Sequence, residues 1–196
     1  MPPLRELFSG KSSLSTLLRL LGLVLGCLVV FPAQAVPAPA EEEVKAVFLF
    51  NFASFIRWSE TPARRATGDF RYCIHDEHLA ALLARVVKGE TVDGKPMTVV
   101  THEDGRSLAE CHVLYLADYS GKINHDLLER ALQAKVLTVG NDVDFIEQGG
   151  TIALAPRRGR IHPVIHLERA RQAGLRISSK LLSLSTLSGD KGSDRP

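Results

Sequence analysis

The chain has 196 residues, with 24 Lys and Arg against 22 Asp and Glu. Three of the basic residues (Arg5, Lys11, Arg19) and one acid (Glu6) fall in the first 35, so the remainder carries 21 of each sign. A neutral domain of that size is large enough for a real core and has no general pull on nucleic acid, so no nucleic-acid partner is expected and any anion site must be local.

The basic start leads into "LLGLVLGCLVVF", residues 20–31, which hold no charge. That run is too short to span a bilayer, which takes about 20 apolar residues. Ala33-Gln34-Ala35 follows as a small-x-small cleavage motif. Together these predict a cleaved secretory signal peptide over residues 1–35, hence a periplasmic protein. An alternative lies inside it: "VLGC" resembles a lipoprotein box with Cys27 as the lipidated residue, although the residues after Cys27 stay apolar. Once Cys27 is removed, Cys73 and Cys111 are left in an oxidising compartment, where pairing is expected; two buried free thiols are the alternative.

Residues 36–40, "VPAPA", read as a short linker before an α/β domain over residues 41–188. "EEEVKAVFLFNFASFIRW" opens on three acids suited to a helix N-terminus and is apolar nearly all round, as buried helices are. Its Val44, Phe48, Phe52 and Phe55 side is expected against the core. Asn51 then needs a hydrogen-bond partner, and the side around Leu49 and Phe50 is the expected partner or dimer face. A loop follows over residues 59–69. "FRYCIH", "PMTVVTH", "CHVLYLAD" and "VLTVG" read as strands, and "DEHLAALLARVVKG" and "KINHDLLERALQAK" as the helices between them. Continuous apolar strands alternating with helices predict a mostly parallel sheet covered on both faces. "GGTIALAPRRGRIHPVIHL" reads as an antiparallel hairpin extending one edge, with Pro163 favouring an edge position. A short helix in "ERARQAG", a terminal helix in "ISSKLLSLS" and a disordered tail over residues 189–196 complete the chain.

The sequence carries few chemical motifs. Phosphate-cradling and nucleophile-elbow motifs are absent. His75 and His78, or His162 and His166, lack an obvious third ligand, so no metal is expected. Asp118 ends the third strand, as a receiver domain's phosphoacceptor does, but an exported domain meets no cytoplasmic phosphodonor. No catalytic residues and no cofactor are assigned. The best polar constellation is basic: Arg57 closes the first helix, and Arg176 precedes a helix starting at Ser178, Ser179 and Lys180. Two arginines near a helix N-terminus can fork a carboxylate or phosphate. The alternative is that Ser178 merely caps the helix and the arginines pair with acids.

The residues from Glu43 to Leu184 resemble the YfiR-like family of periplasmic regulatory proteins. The resemblance is carried by "VKAVFLFNFASFIRW", "FRYCIHDEHLAALL" with "GETVDGKPMTVV", "CHVLYLAD", "VLTVGNDVDFIEQGGTIAL" and "ARQAGLRISSKLLSLS", in that order. It implies an α/β sandwich with a Cys73–Cys111 disulfide. It also implies a non-enzymatic regulator that inhibits an inner-membrane diguanylate cyclase through its periplasmic sensor domain. The cyclase modulates cyclic di-GMP, and an OmpA-like outer-membrane lipoprotein can sequester the regulator. A homodimer is expected, and a small anionic ligand near Arg57 and Arg176, with Ser178 standing where a histidine is found in the family's best-understood member. A small-molecule binding module is the competing expectation, and an enzyme the weakest.

Overall fold

The computed structural model describes residues 40–101, 107–116 and 125–188. The leader expected over residues 1–35, Cys27, most of the linker, Asp118 and the tail lie outside them.

The first helix, α1 (Glu41–Phe55), starts where the Glu43 carboxylate accepts from the Ala40 N–H at 3.3 Å. It stops at Ile56, whose φ of −119° and ψ of 143° are extended. Its buried positions are Lys45, Ala46, Leu49, Phe52 and Ala53. The face against the sheet is therefore rotated from the one the aromatic spacing predicts: Leu49 is fully buried, Phe48 and Phe55 are half-buried, and Val47 is exposed. Small Ala46 and Ala53 allow the close approach, and bulky phenylalanines cover the flanks. Leu49 is thus excluded from any partner face. Asn51 is half-buried and satisfies its amide on its own helix, donating to the Val47 carbonyl at 2.8 Å. Lys45 is buried with its charge held by Glu41 at 2.6 Å.

Arg57 belongs to a two-residue strand, β1 (Ile56–Arg57), rather than to the helix. The segment after it contains a helical turn, α2 (Pro62–Thr67), capped by the Thr61 side chain. Then come β2 (Phe70–Ile74), α3 (Glu77–Val86), β3 (Thr91–Val92) and β4 (Lys95–Thr101). A 3-10 turn at Leu108–Glu110 leads to β5 (Val113–Tyr115), α4 (His125–Gln133), β6 (Leu137–Gly140) and α5 (Val143–Glu147). The chain closes with β7 (Ile152–Arg157), β8 (Arg160–His166), α6 (Leu167–Gln172), β9 (Arg176–Ile177), α7 (Ser179–Ser183) and β10 (Thr186–Ser188).

Eight strands form one sheet in the order β10-β8-β7-β6-β5-β2-β4-β3. β4, β2, β5, β6 and β7 are mutually parallel, and the β7–β8 and β3–β4 pairs are antiparallel. This is the mostly parallel α/β sheet with a C-terminal hairpin that the strand and helix pattern predicts. Phe70, Tyr72 and Ile74 of β2 face one core cluster with residues of α1, α3, α6 and α7, while Cys73 faces a second with residues of α4 and α5. Strict alternation along one buried strand thus places helices on both faces.

Two details differ from expectation at the C-terminal end. Pro163 is not on an edge strand, because β10 runs parallel beside β8. Its pairing begins at Thr186 opposite Val164, one residue past Pro163, so the missing N–H leaves no gap in the ladder. The terminal helix is only α7, one turn long, and the chain then turns into β10.

Candidate functional site

Ile56 and Arg57 of β1 pair antiparallel with Ile177 and Arg176 of β9, so Arg57 and Arg176 stand directly opposite each other. Directly opposed residues share a face, and like charges in such a pair repel. Both arginines are exposed. The Arg57 guanidinium reaches Asp93 at 3.1 and 3.2 Å, which neutralises one side of the pair. Arg176 has no ion pair among the described residues. The ribbon is fastened to α1 by the Ser178 N–H, which donates to the Phe55 carbonyl at 2.8 Å. The Ser178 hydroxyl accepts from the Leu181 N–H at 3.3 Å, and is therefore the cap of α7. A single helical turn adds little dipole. The positive charge here lies in the two guanidinium groups and not in a helix end.

Arg57 also borders a small cleft that is open to solvent. Its floor is aromatic. The Trp58 and Phe70 rings meet edge to face at 4.9 Å, and the His112 imidazole lies 4.3 Å from the Phe70 ring. Trp58 Nε1–H donates to the His112 carbonyl at 2.9 Å, which fixes the indole. The rim is charged: Arg57 with Asp93, and Lys95 with Glu60 at 2.5 Å. The hydrogen bond from Lys95, with the lysine's charge, holds the Glu60 carboxyl below the usual carboxylate range. Arg176 and Ser178 do not line this cleft. The structure brings the two arginines together, but the cleft beside them is built from other residues.

Asp93 and Lys95 come from the β3–β4 hairpin, whose Asp93-Gly94 turn has φ of 50° and 76°. Both central residues of a two-residue type I′ turn take such values, which makes Asp-Gly a recognisable hairpin signal. His112 is buried, and its Nδ1 accepts from the Arg71 N–H at 3.2 Å. Burial, reinforced by the positive charges of Arg64 and Lys95, lowers its pKa to about 4. It is therefore a neutral ring at pH 7, with the tautomer set by that N–H.

Arg64 lies in the segment that the sequence reads as a loop, and it is fully buried. Its Nε–H donates to the Cys111 carbonyl at 3.1 Å and Nη1 to Ser59 at 2.9 Å. Nη2 donates to the carbonyls of Ala134 at 3.0 Å and Lys135 at 2.6 Å, just past α4. Carbonyls at a helix C-terminus carry partial negative charge, which suits a cation. Among the described residues no carboxylate stands within ion-pair distance of it. Nothing in the sequence around "TPARRATGD" distinguishes Arg64 from Arg65, which is exposed.

Cys73 of β2 is bonded to Cys111, which precedes β5, with Cα atoms 5.9 Å apart. Of the histidines considered as ligands, His78 pairs with Glu42 at 3.0 Å and His166 caps α6 by accepting from the Arg169 N–H. Among the described residues no group of three or more His, Cys, Asp and Glu is placed to hold a metal, and no helix is long and apolar enough to cross a membrane.

A doubly wound α/β domain with a paired-arginine ribbon at the amino ends of its strands is thus the class of protein defined by fold and site. The chain belongs to the YfiR/HmsC-like family, whose model matches residues 42–186. No curated protein matches it in sequence. Among solved structures it is similar to a conserved domain protein from Vibrio cholerae O1 biovar eltor, with 14% identity and a TM-score of 0.48 over 76% of this chain and 60% of that one. It is also similar to the ABC domain, in complex with L-Trp, from Streptococcus pneumonia, with 10% identity and a TM-score of 0.45 over 74% of this chain and 60% of that one. The chain spans 60% of the length of each of these two structures.

Proposed function

We propose that the protein is a periplasmic, non-enzymatic regulator that binds the periplasmic sensor domain of an inner-membrane signalling protein, a diguanylate cyclase, and restrains it. The observation that carries this is membership of the YfiR/HmsC-like family over residues 42–186. The signal-peptide pattern of residues 1–35 supports export. Sequestration by an OmpA-like outer-membrane lipoprotein would relieve the restraint, and a homodimer is the form proposed to engage the partner. Deleting the protein should raise cyclic di-GMP, and restoring it should lower the level. An unchanged level, in a strain shown to express both the protein and the cyclase, would overturn the proposal.

A second reading is favoured by one observation, the opposed pair Arg57 and Arg176. In it the ribbon takes a small anion, a carboxylate or phosphate forked between two guanidinium groups. Titration of the purified protein with a nucleoside monophosphate, followed calorimetrically, tests it. Saturable binding lost in Arg176→Ala supports this reading, and no heat of binding in the parent protein removes it.

A further inference from the structure

The β7–β8 hairpin outgrows its neighbours. β6 pairs with β7 only at Ile152 and Ala153, and β10 pairs with β8 only at Val164, Ile165 and His166. From Leu154 opposite Pro163 to Arg157 opposite Arg160, the two strands pair only with each other. Leu154, Ala155 and Pro163 are still buried against the body, so the part that stands clear is residues 156–160. Two residues of β7 at about 3.3 Å each carry that tip roughly 7 Å outward. It leaves from the carboxyl ends of the parallel strands, whereas the Arg57–Arg176 ribbon and its cleft lie by their amino ends.

The tip of this arm is basic and exposed. Residues 156–160 are all exposed, and Arg157, Arg158 and Arg160 have no ion pair among the described residues. The acids at the start of α1 are engaged elsewhere: Glu41 with Lys45, Glu42 with His78 and Glu43 with the Ala40 N–H. Two features of the tip oppose its own folding. Arg157 faces Arg160 directly, a like-charge pair. Arg158 sits at φ 51°, a left-handed position where Asn or Gly is preferred. A neutral domain has no need of three uncompensated arginines placed against local preference.

We propose that this arm is a membrane-contact element that binds anionic phospholipid headgroups. No large apolar side chain is exposed at the tip, so it lacks the apolar centre of a protein–protein interface and equally the wedge of an inserting segment. What remains is a cluster of guanidinium groups suited to phosphates spread over a surface. The projection matters because a surface potential decays over about 10 Å at moderate salt. A tip that stands clear of the body brings its three charges closest to the surface, well inside that zone. Three arginines near an anionic surface raise partitioning on the order of a hundredfold. The inference is independent of the cyclase proposal, since it needs only lipid.

The test is co-sedimentation of the exported, processed protein with phosphatidylcholine vesicles, with and without phosphatidylglycerol. The parent should bind the anionic vesicles at low salt, release them at high salt and ignore neutral ones. A variant with Arg157→Gln, Arg158→Asn and Arg160→Gln should bind at least about tenfold more weakly. Its thermal midpoint should not fall, because Asn suits the turn and the opposed charges are gone. Undiminished vesicle binding by the variant, or equal binding of the parent to neutral vesicles, would overturn the proposal. So would a folded parent that ignores anionic vesicles at low salt, and the arm would then be assigned to an acidic protein surface.

Discussion

The Arg64 guanidinium donates to the carbonyl oxygen of Cys111, so a buried cation is tied to the backbone of a disulfide-bonded residue. The same group holds Ser59 and the chain leaving α4, and so joins the segments that follow β1, precede β5 and precede β6. Arg64→Met should remove all four hydrogen bonds and strand the buried Cys111 carbonyl, the other three acceptors being partly buried. A loss of about 1–3 kcal/mol is expected, because an unsatisfied buried carbonyl costs about that much. Arg64→Lys should recover part of it, since an ammonium has three donors and no planar fork. Urea denaturation of the two variants measures the difference.

His112 makes stability depend on pH. Its folded pKa of about 4 lies below the ordinary value of 6.5. The unfolded chain therefore binds the extra proton first as pH falls. The contribution is fully present above the unfolded value, is lost between the two, and is flat below the folded one. Two and a half units correspond to about 3 kcal/mol. His112→Asn keeps an acceptor for the Arg71 N–H and should flatten the slope in that window while lowering stability at neutral pH. Urea midpoints on both sides of the window check it; an unchanged slope would remove His112 from the account.

The Cys73–Cys111 bond closes a loop of 38 residues. In the chain-entropy model this contributes about 4 kcal/mol. Reduction should therefore lower the thermal midpoint substantially. Labelling of the denatured but unreduced exported protein should find no free thiol at either position.

The opposed arginines should be dispensable for folding. The Arg57–Asp93 pair is exposed and is worth at most about 1 kcal/mol. Against that, removing either cation relieves the cross-strand repulsion. Arg57→Ala and Arg176→Ala are each expected within about 0.5 kcal/mol of the parent. A large loss in either variant would show that the ribbon is structural and does not face a ligand.

The parallel strands β2, β4, β5 and β6 and the helices α3 and α4 are legible because the strands are apolar runs and the helices keep an apolar stripe. Asp76 accepts from the Leu79 N–H at 2.7 Å, as its place before "EHLAALL" suggests. β1 and β9 are not legible: two residues carry no period, and only their pairing makes them strands. For that reason Arg57 and Arg176 read as helix-end residues when they are cross-strand partners. The Asp93-Gly94 turn is written in the sequence, but its closeness to Arg57 is a fact of tertiary packing. Arg64 is the extreme case, since burial of one arginine in "ARRA" depends on carbonyls supplied from residues 59, 111, 134 and 135.

The last strand, β10, has a consequence for the order in which the molecule is completed. It covers the outer side of β8 at Val164–His166, yet among the described residues it is the last paired segment to be synthesised. Until those residues arrive, β8 is an open edge, a template for any extended neighbour. A chain cut short before Thr186 would keep its core and its disulfide but expose that edge permanently. Self-association, rather than unfolding, is its expected failure.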